Sequence, residues 1–385
     1  MARFLKGWTC GLLAAGLLCG GARAEIAVSS NDAHTVLDAG ANQVAPAEVK
    51  PDTVNVIDMA SNPPRVTATL EVPGSVVGPP MAVAVAPDES YAIVTGATKA
   101  QPGAPGGIAP DDTVTLIDLR ANPPAVVQTL HAGAGATTVR ITPDGSAALV
   151  VNRTAGTLSV FTIKDRRLAE AGTVPIDPKS MPSGLVLLPD GKTALLSRYA
   201  DHQVSVLRID GTNVSVDKRP ITTGLAPYTM DITPDGRWAA VSNMGRGDGD
   251  VDSVSLIDLS REPFRVVQTL DVGRSPEGLR FSPDGTVLAV GAQNGTTKVP
   301  GSPFYNAAGR LILLALRDGR LRQVAEAQIG GWNQGIAFSR DGRTLLVQDM
   351  LQRSIGVFGW DGATLAAKGR LDVGSGPAAI MTSWK

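Results

Sequence analysis

Four stretches of the chain run a strand-like segment into Pro-Asp-Gly and out again into another: TTVRITPDGSAALVVN, SGLVLLPDGKTALLSR, YTMDITPDGRWAAVSN and EGLRFSPDGTVLAVGA. Two further copies are imperfect. APDESYAIVTG has Glu89 in place of Gly, and SRDGRTLLVQD has Arg340 in place of Pro. In this turn proline presets φ, aspartate bonds its own backbone two residues on, and glycine accepts a positive φ, which together give a tight hairpin with a bulge. The turn aspartates are Asp88, Asp144, Asp190, Asp235, Asp284 and Asp341, spaced 45–57 residues apart. Repetition at this period means a chain assembled from equal supersecondary units.

A second strand pattern follows each turn: DTVNVID from Asp52, DTVTLID from Asp112, GTLSVFTI from Gly156, HQVSVLRI from His202, DSVSLID from Asp252, GRLILLAL from Gly309 and RSIGVFGW from Arg353. These are seven copies against six turns. The final segment GPAAIMTSWK begins like another inner strand and stops before a turn, while EIAVSSND, from Glu25, looks like the strand that should follow it. The pattern predicts an all-β fold, a seven-bladed β-propeller of four-stranded antiparallel blades, its last blade closed by N- and C-terminal strands. Such a ring leaves only short, protected edges. A solenoid would carry capping repeats at its ends instead.

The repeats VVNRTAGTLSVF, DTVTLIDL and DSVSLIDL resemble the YVTN-type repeat of YncE-like and surface-layer β-propellers, a family related to the lactonase-type seven-bladed propellers. The resemblance covers nearly all of the chain after its leader. It implies a periplasmic or extracellular propeller and leaves the activity open, because propellers host many unrelated functions.

The leader is residues 1–24. Arg3 and Lys6 precede the apolar run CGLLAAGLLCGG, and small residues end at Ala24, the layout of a cleaved secretory signal peptide. The run is shorter than the roughly 20 residues of a membrane span, so the mature chain, residues 25–385, is expected to have no transmembrane span and to be periplasmic or secreted. Both cysteines, Cys10 and Cys19, fall in the leader, so stability is expected to come from the core and its closure, without disulfides. The net charge of −1 offers no basic field for nucleic acid. A monomer is expected.

The Pro-Asp-Gly turns join the first and second strands (a and b) of each blade and are short and alike. The b–c loops are long and varied at residues 97–111, 243–252, 293–308 and, in the closing blade, 32–51. Long loops on a rigid frame are where binding usually resides, so the face of b–c loops and d–a crossovers is the candidate working face; tolerated loop growth is the alternative. Eight residues on from the turn aspartates stand Asn152, Arg198, Asn243 and Asp349, with Arg153, Tyr199 and Gln293 one further along. Seven back stand Met81, Thr137, Ser183, Tyr228, Glu277 and Gln334, where strand a enters the central channel, with Trp332 and Asn333 just outside. The candidate ligand-binding residues are Asn152, Arg153, Arg198, Tyr228, Asn243, Glu277, Gln293, Trp332, Gln334 and Asp349. The alternative is a polar opening that merely holds channel water.

Asp248, Asp250 and Asp252 alternate in GDGDVD and could offer oxygens to Ca²⁺, without the glycine and distal glutamate of a full calcium loop. The other reading is a solvated acidic loop, and no cofactor is expected. The three histidines, His34, His131 and His202, lie in different blades, which argues against a metal cluster or haem ligands. The first functional reading is a binding or scaffold module of the envelope, taking a small molecule, a cell-wall polymer or a periplasmic protein. The alternative is a lactonase-like hydrolase at the same face. Such an enzyme needs an acid or base and a cation for the developing oxyanion, and Glu277, paired with Arg198, and His202 are the candidates.

Overall fold

The computed structural model describes residues 25–249 and 252–383, so the leader, Asp250 and Trp384 lie outside it. Seven four-stranded antiparallel units follow one another around an axis. Blades 1 to 6 begin with inner strands Val83–Val85, Ala136–Ile141, Pro182–Leu187, Pro227–Ile232, Pro276–Phe281 and Asn333–Phe338. The closing blade runs Gly376–Thr382, Ile26–Asp32, Thr53–Asp58 and Arg65–Glu71 from inside out. The C-terminal strand is thus innermost and the N-terminal strand pairs with it, Val28 opposite Met381 and Ser30 opposite Ala379. Among the described residues there is no α-helix.

Burial follows sequence pattern. Inner strands are buried throughout except at half-buried Ile232, whereas the outer strands Arg65–Glu71 and Arg265–Asp271 alternate half-buried and exposed residues, as strands with one wet face do. The hydrophobic clusters sit between blades. Ile93 and Leu116 of blade 1 pack on Val139, Val150 and Phe161 of blade 2, and Ala27, Ile57 and Ile380 of the closing blade pack on Leu346, Ile355 and Val357 of blade 6.

The repeated turn forms as its residue types require. In blade 4 the Gly236 N–H donates to the Thr233 carbonyl at 2.8 Å, Gly236 has φ 69°, and Asp235 accepts from the Thr233 hydroxyl at 2.6 Å and the Arg237 N–H at 3.0 Å. In blade 1, Glu89 holds the glycine position at φ 58°, a conformation that costs a non-glycine residue energy.

The seven inner strands crowd the axis, and a bulge near the start of most of them adjusts the pairing. The register shifts between Pro182 and Leu185, Pro227 and Met230, Pro276 and Leu279, and Asn333 and Ile336. Two glycines at this bulge permit the approach of the next blade. A Cβ on Gly184 would lie 2.2 Å from the Tyr228 carbonyl oxygen, and one on Gly278 would lie 2.0 Å from that of Gln334. Strand b then pins the junction. Ser197 Oγ accepts the Gly184 N–H and donates to the Tyr228 carbonyl, both at 2.7 Å. Ser242 Oγ bridges the Thr229 N–H and the Glu277 carbonyl, and Gln348 bridges the Gly335 N–H and the Ala379 carbonyl. Each bridge fixes a carbonyl of the neighbouring blade's inner strand.

At the closing seam packing adds to these bonds: Ile380 is buried among Leu346, Ile355 and Val357 of blade 6. Ile380→Ala should remove about 2–5 kcal/mol of stability by cavity formation, and Ile380→Val about 0.5–1.5 kcal/mol, read as a drop in the urea midpoint at unchanged slope.

Candidate functional site

The ring of polar residues anticipated at the loop-bearing mouth divides into a bracing set and a channel set. Asn152, the last residue of its strand b, is fully buried and donates to the hydroxyls of Thr157 and Ser159 on strand c, both at 2.9 Å. Asn243 does the same to Ser253 at 3.0 Å and Ser255 at 2.9 Å, and in the closing blade Asn31 bonds Thr53 and Asn55. These asparagines clamp b to c inside a blade; they are correctly placed in register but turned away from the opening. Asp349 is the counterpart in blade 6, 2% exposed. Burial pushes its carboxyl up to about 7 against the Gly330 N–H and the charge of Arg370.

The anticipated partnership of Arg198 with Glu277 does not form. Arg198 is engaged by Asp201, three residues along its own b–c turn, and Glu277 is held by Gln293. Sequence spacing put both at the same end of the ring, but the local turn captures the arginine first. His202 sits at φ 60° with its Nδ1 accepting the Ala226 N–H at 3.1 Å, a crossover brace. Trp332 is 3% exposed and packs with Val76, Met350 and Ala378, so it seals the junction of blade 6 with the closing blade. Asp248 is exposed, while Asp252 is buried and accepts the Ser275 N–H at 2.7 Å.

The channel set does converge. Arg153, half-buried, donates to the Ser183 hydroxyl and to the Met181 carbonyl. Its guanidinium carbon stands 4.7 Å from the Tyr199 ring centre and 5.6 Å from that of Tyr228, cation–π contacts that favour a cation there. The two rings meet edge to face, 5.6 Å apart at 64°. Tyr228 is buried, and its phenol is pushed far above its ordinary range, by burial foremost. Arg153 and Glu277 both act electrostatically on that phenol, in opposite senses because their charges differ in sign. Glu277 is 2% exposed. Burial pushes its carboxyl up to about 8, with the side-chain bond from Gln293 pulling the other way. It is therefore protonated at neutral pH. Gln293 in turn accepts from the Thr297 hydroxyl at 2.9 Å, which ties the long loop 293–308 to the mouth.

Among the described residues, Asp32, His34 and Asp52 bring three ligand-type atoms within 4.8 Å of one another, a grouping that the scattered positions of the histidines in sequence concealed. All are already committed. His34 Nδ1 bonds Asp52 at 2.9 Å, and Nε2 pairs with the Thr98 hydroxyl at 3.1 Å. Asp32 accepts the His34, Thr35 and Val76 N–H groups, and Asp52 accepts those of Ala33 and Gly74. The cluster stitches the loop 32–51 to blade 1 and the closing blade.

At the other end of the channel, the Pro-Asp-Gly face, a cavity of about 340 Å³ is lined by Arg140, Asp231 and Arg280. All three stand four residues before a turn aspartate, at the position of Ala84, Val186 and Ala337 in other blades. The signal for it in the sequence is charge at a repeat position that is apolar in the other blades.

The family described as Lactonase, 7-bladed beta-propeller matches residues 112–222, which carry Arg153, Ser183 and Tyr199. No curated protein sequence matches the chain. Solved structures similar to it include a putative 6-phosphogluconolactonase of Bacteroides fragilis, 14% identical, covering 94% of this chain and 99% of that one at a TM-score of 0.72. The periplasmic gluconolactonase of Pseudomonas aeruginosa is 18% identical, with 93% and 98% covered and a TM-score of 0.68. A functionally unknown protein from Desulfotomaculum acetoxidans is 17% identical, with 93% and 98% covered and a TM-score of 0.68. At these identities the likeness establishes the seven-bladed propeller.

Two outcomes separate bracing from channel residues. Asn152→Ala and Asn243→Ala should each cost about 1–3 kcal/mol of stability by orphaning buried hydroxyls, measured by urea unfolding, with no change in ligand binding at the mouth. Glu277 should show the opposite behaviour. Between its ordinary value of 4.5 and about 8 the unfolded chain has lost a proton that the folded chain keeps, so stability falls as pH rises, by at most about 1.4 kcal/mol per pH unit. Glu277→Gln removes that slope, so its melting temperature relative to the parent should climb steadily from pH 5 to pH 8.

Proposed function

We propose that the protein is a lactonase-like hydrolase that opens a small hydroxylated lactone at the loop-bearing mouth of the channel. The observation that carries this reading is a buried carboxyl, Glu277, pushed up to about 8, which acts on the same Tyr228 phenol that the guanidinium of Arg153 approaches. Lactone hydrolysis adds water to the acyl carbon, breaks the acyl–oxygen bond and leaves a hydroxy acid. Negative charge develops on the carbonyl oxygen, and a nearby cation stabilises it; Arg153 supplies that charge. The departing ring oxygen needs a proton, and a carboxyl whose pKa lies near the working pH both gives one and takes one back from the attacking water. Glu277 has that poise. Gln293, Tyr199 and Ser183 orient the hydroxyls of a sugar-like ring. The lactonase family match and the gluconolactonases among the similar structures support the substrate class. The leader supports export, which would place the reaction in the periplasm or outside the cell.

Binding without turnover is the second reading, favoured by the depth of Glu277, 2% exposed, and by exposed Tyr305 on the loop 293–308. The two readings part in one assay. Residues 25–385 are incubated with glucono-δ-lactone, and acid release is followed with a pH indicator above the spontaneous rate. Hydrolysis predicts acceleration, a fall in kcat/KM of about 100–1000-fold in Arg153→Ala, in line with loss of one oxyanion partner, and a loss of kcat at little-changed KM in Glu277→Gln. A ligand-dependent rise in melting temperature without acceleration supports the binding module. Neither acceleration nor a thermal shift across a series of lactones overturns both.

A further inference from the structure

We propose that Asp32, His34 and Asp52 form a structural site for one first-row divalent metal ion of the Zn²⁺ type, which pins the loop 32–51 to the closing blade and to blade 1. The site is separate from the mouth assigned to hydrolysis and does not depend on that assignment.

Asp32 ends the second strand of the closing blade, His34 follows two residues on, and Asp52 stands just before the third strand, Thr53–Asp58. Each offers one ligand atom, and the three lie within 4.8 Å of one another. Bonds of about 2.1 Å from one ion set neighbouring ligand atoms about 3.0 Å apart in octahedral and about 3.4 Å apart in tetrahedral surroundings. His34 Nδ1 stands 3.0 Å from Asp52 Oδ2 and 3.3 Å from Asp32 Oδ1. The backbone bonds that steady the carboxylates are compatible with an ion. Asp52 Oδ2 accepts the Gly74 N–H at a long 3.2 Å, and Oδ1 takes that of Ala33. What the ion replaces is a ring proton at Nδ1.

The far side of the imidazole is arranged for that exchange. Nε2 lies 3.1 Å from the Thr98 hydroxyl, which lies 2.7 Å from the Ser75 hydroxyl. Ser75 Oγ in turn accepts the Val77 N–H at 3.0 Å. With Nε2–H donating to Thr98 and Thr98 donating to Ser75, Nδ1 turns a lone pair toward both carboxylates. Hydrogen-bonded support behind an imidazole fixes its tautomer and orientation for a metal. Charge points the same way. Asp32 and His34 are 1% and 2% exposed, and two carboxylates around one imidazolium leave a negative charge in excess, whereas a divalent ion on a neutral imidazole cancels both. The nearby Asp111 is balanced by Lys99 at 3.0 Å. Beside Asp32, the Thr35 hydroxyl is 2% exposed and has no hydrogen-bond partner, a further oxygen for the ion.

A cavity of about 430 Å³ supplies the entry path. Asp32, Ala33 and Thr35 line one side of it, Trp332 and Met350 the other. An imidazole among the ligands selects a transition ion over Ca²⁺ and Mg²⁺, which favour oxygen alone. The loop so held carries the hairpin of Val36–Leu37 with Gln43–Val44, and its Ala45 N–H reaches the Gly106 carbonyl of blade 1 at 2.7 Å.

The protein is stripped with EDTA, returned to buffer and titrated with ZnCl₂ by calorimetry and thermal shift. The expected result is one ion per chain, a melting temperature that rises with Zn²⁺, and at least tenfold weaker binding of Ca²⁺ and Mg²⁺. His34→Gln and Asp52→Asn should each lose at least tenfold in Zn²⁺ affinity. His131→Gln, which alters the exposed pair with Asp112, should bind as the parent does. Should the first two variants fail to fold, zinc-edge X-ray absorption of the loaded parent decides: one imidazole among oxygen neighbours supports the site, and none or two overturn it. The proposal is also overturned if Zn²⁺ does not bind, if Ca²⁺ binds as tightly, or if a folded His34→Gln binds Zn²⁺ unchanged, which would mean an adventitious ion only.

Discussion

Seven strands can share one axis only if neighbouring inner strands approach closely, and at the junctions of blades 3 and 4 and of blades 5 and 6 that approach is closer than a side chain allows. Gly184 and Gly278 supply the space, since a Cβ on either would run into the next blade's carbonyl. Ser197, Ser242 and Gln348 supply the directional bond across the same gap. The energies involved are modest, about 1 kcal/mol for each such bond. Their effect is geometric. They fix the backbone of Tyr228 and Glu277, the two residues whose side chains set the character of the mouth.

The closing blade carries the same logic to the chain ends. A strand at an open edge invites pairing with another chain; here the last strand finds the first, and the ring has no open inner edge. The pairing of Ile26–Asp32 with Gly376–Thr382 makes closure a long-range contact, formed late in any order of folding that starts from local hairpins. The clusters between blades mean that no blade buries its own faces. Cooperative stability belongs to the ring.

The channel joins two unlike chemical environments. At the loop face one cation rests on two aromatic rings, with a buried carboxyl, Glu277, whose pKa burial raises. At the turn face two guanidiniums and a carboxylate stand among prolines. Both ends exploit the low solvent access of the axis, which strengthens each electrostatic term. They differ because the residue seven before a turn aspartate faces the loop end and the residue four before it faces the turn end.

The repeat period, the turn chemistry, the seven blades and their closure by both termini were legible in the residues alone, because each depends on local propensity and on counting. The loop-bearing face and the channel positions of Tyr228, Glu277 and Gln334 followed from the same register. Direction and partnership did not. Asn152 and Asn243 occupy the expected positions but bond strand c, since a short amide at a strand end reaches its own blade's hydroxyls before it reaches the axis. Arg198 lies at the expected end and turns to Asp201, because a carboxylate three residues away is nearer than one two blades off. The meeting of Arg140 with Asp231 and Arg280 required the ring itself. Residues separated by 91 and 49 positions become neighbours only when successive inner strands are rotated about a common axis. The sequence by itself determined the unit and the number of its copies; which side chains meet at the centre was decided by tertiary structure, because only closure of the ring sets the distance across it.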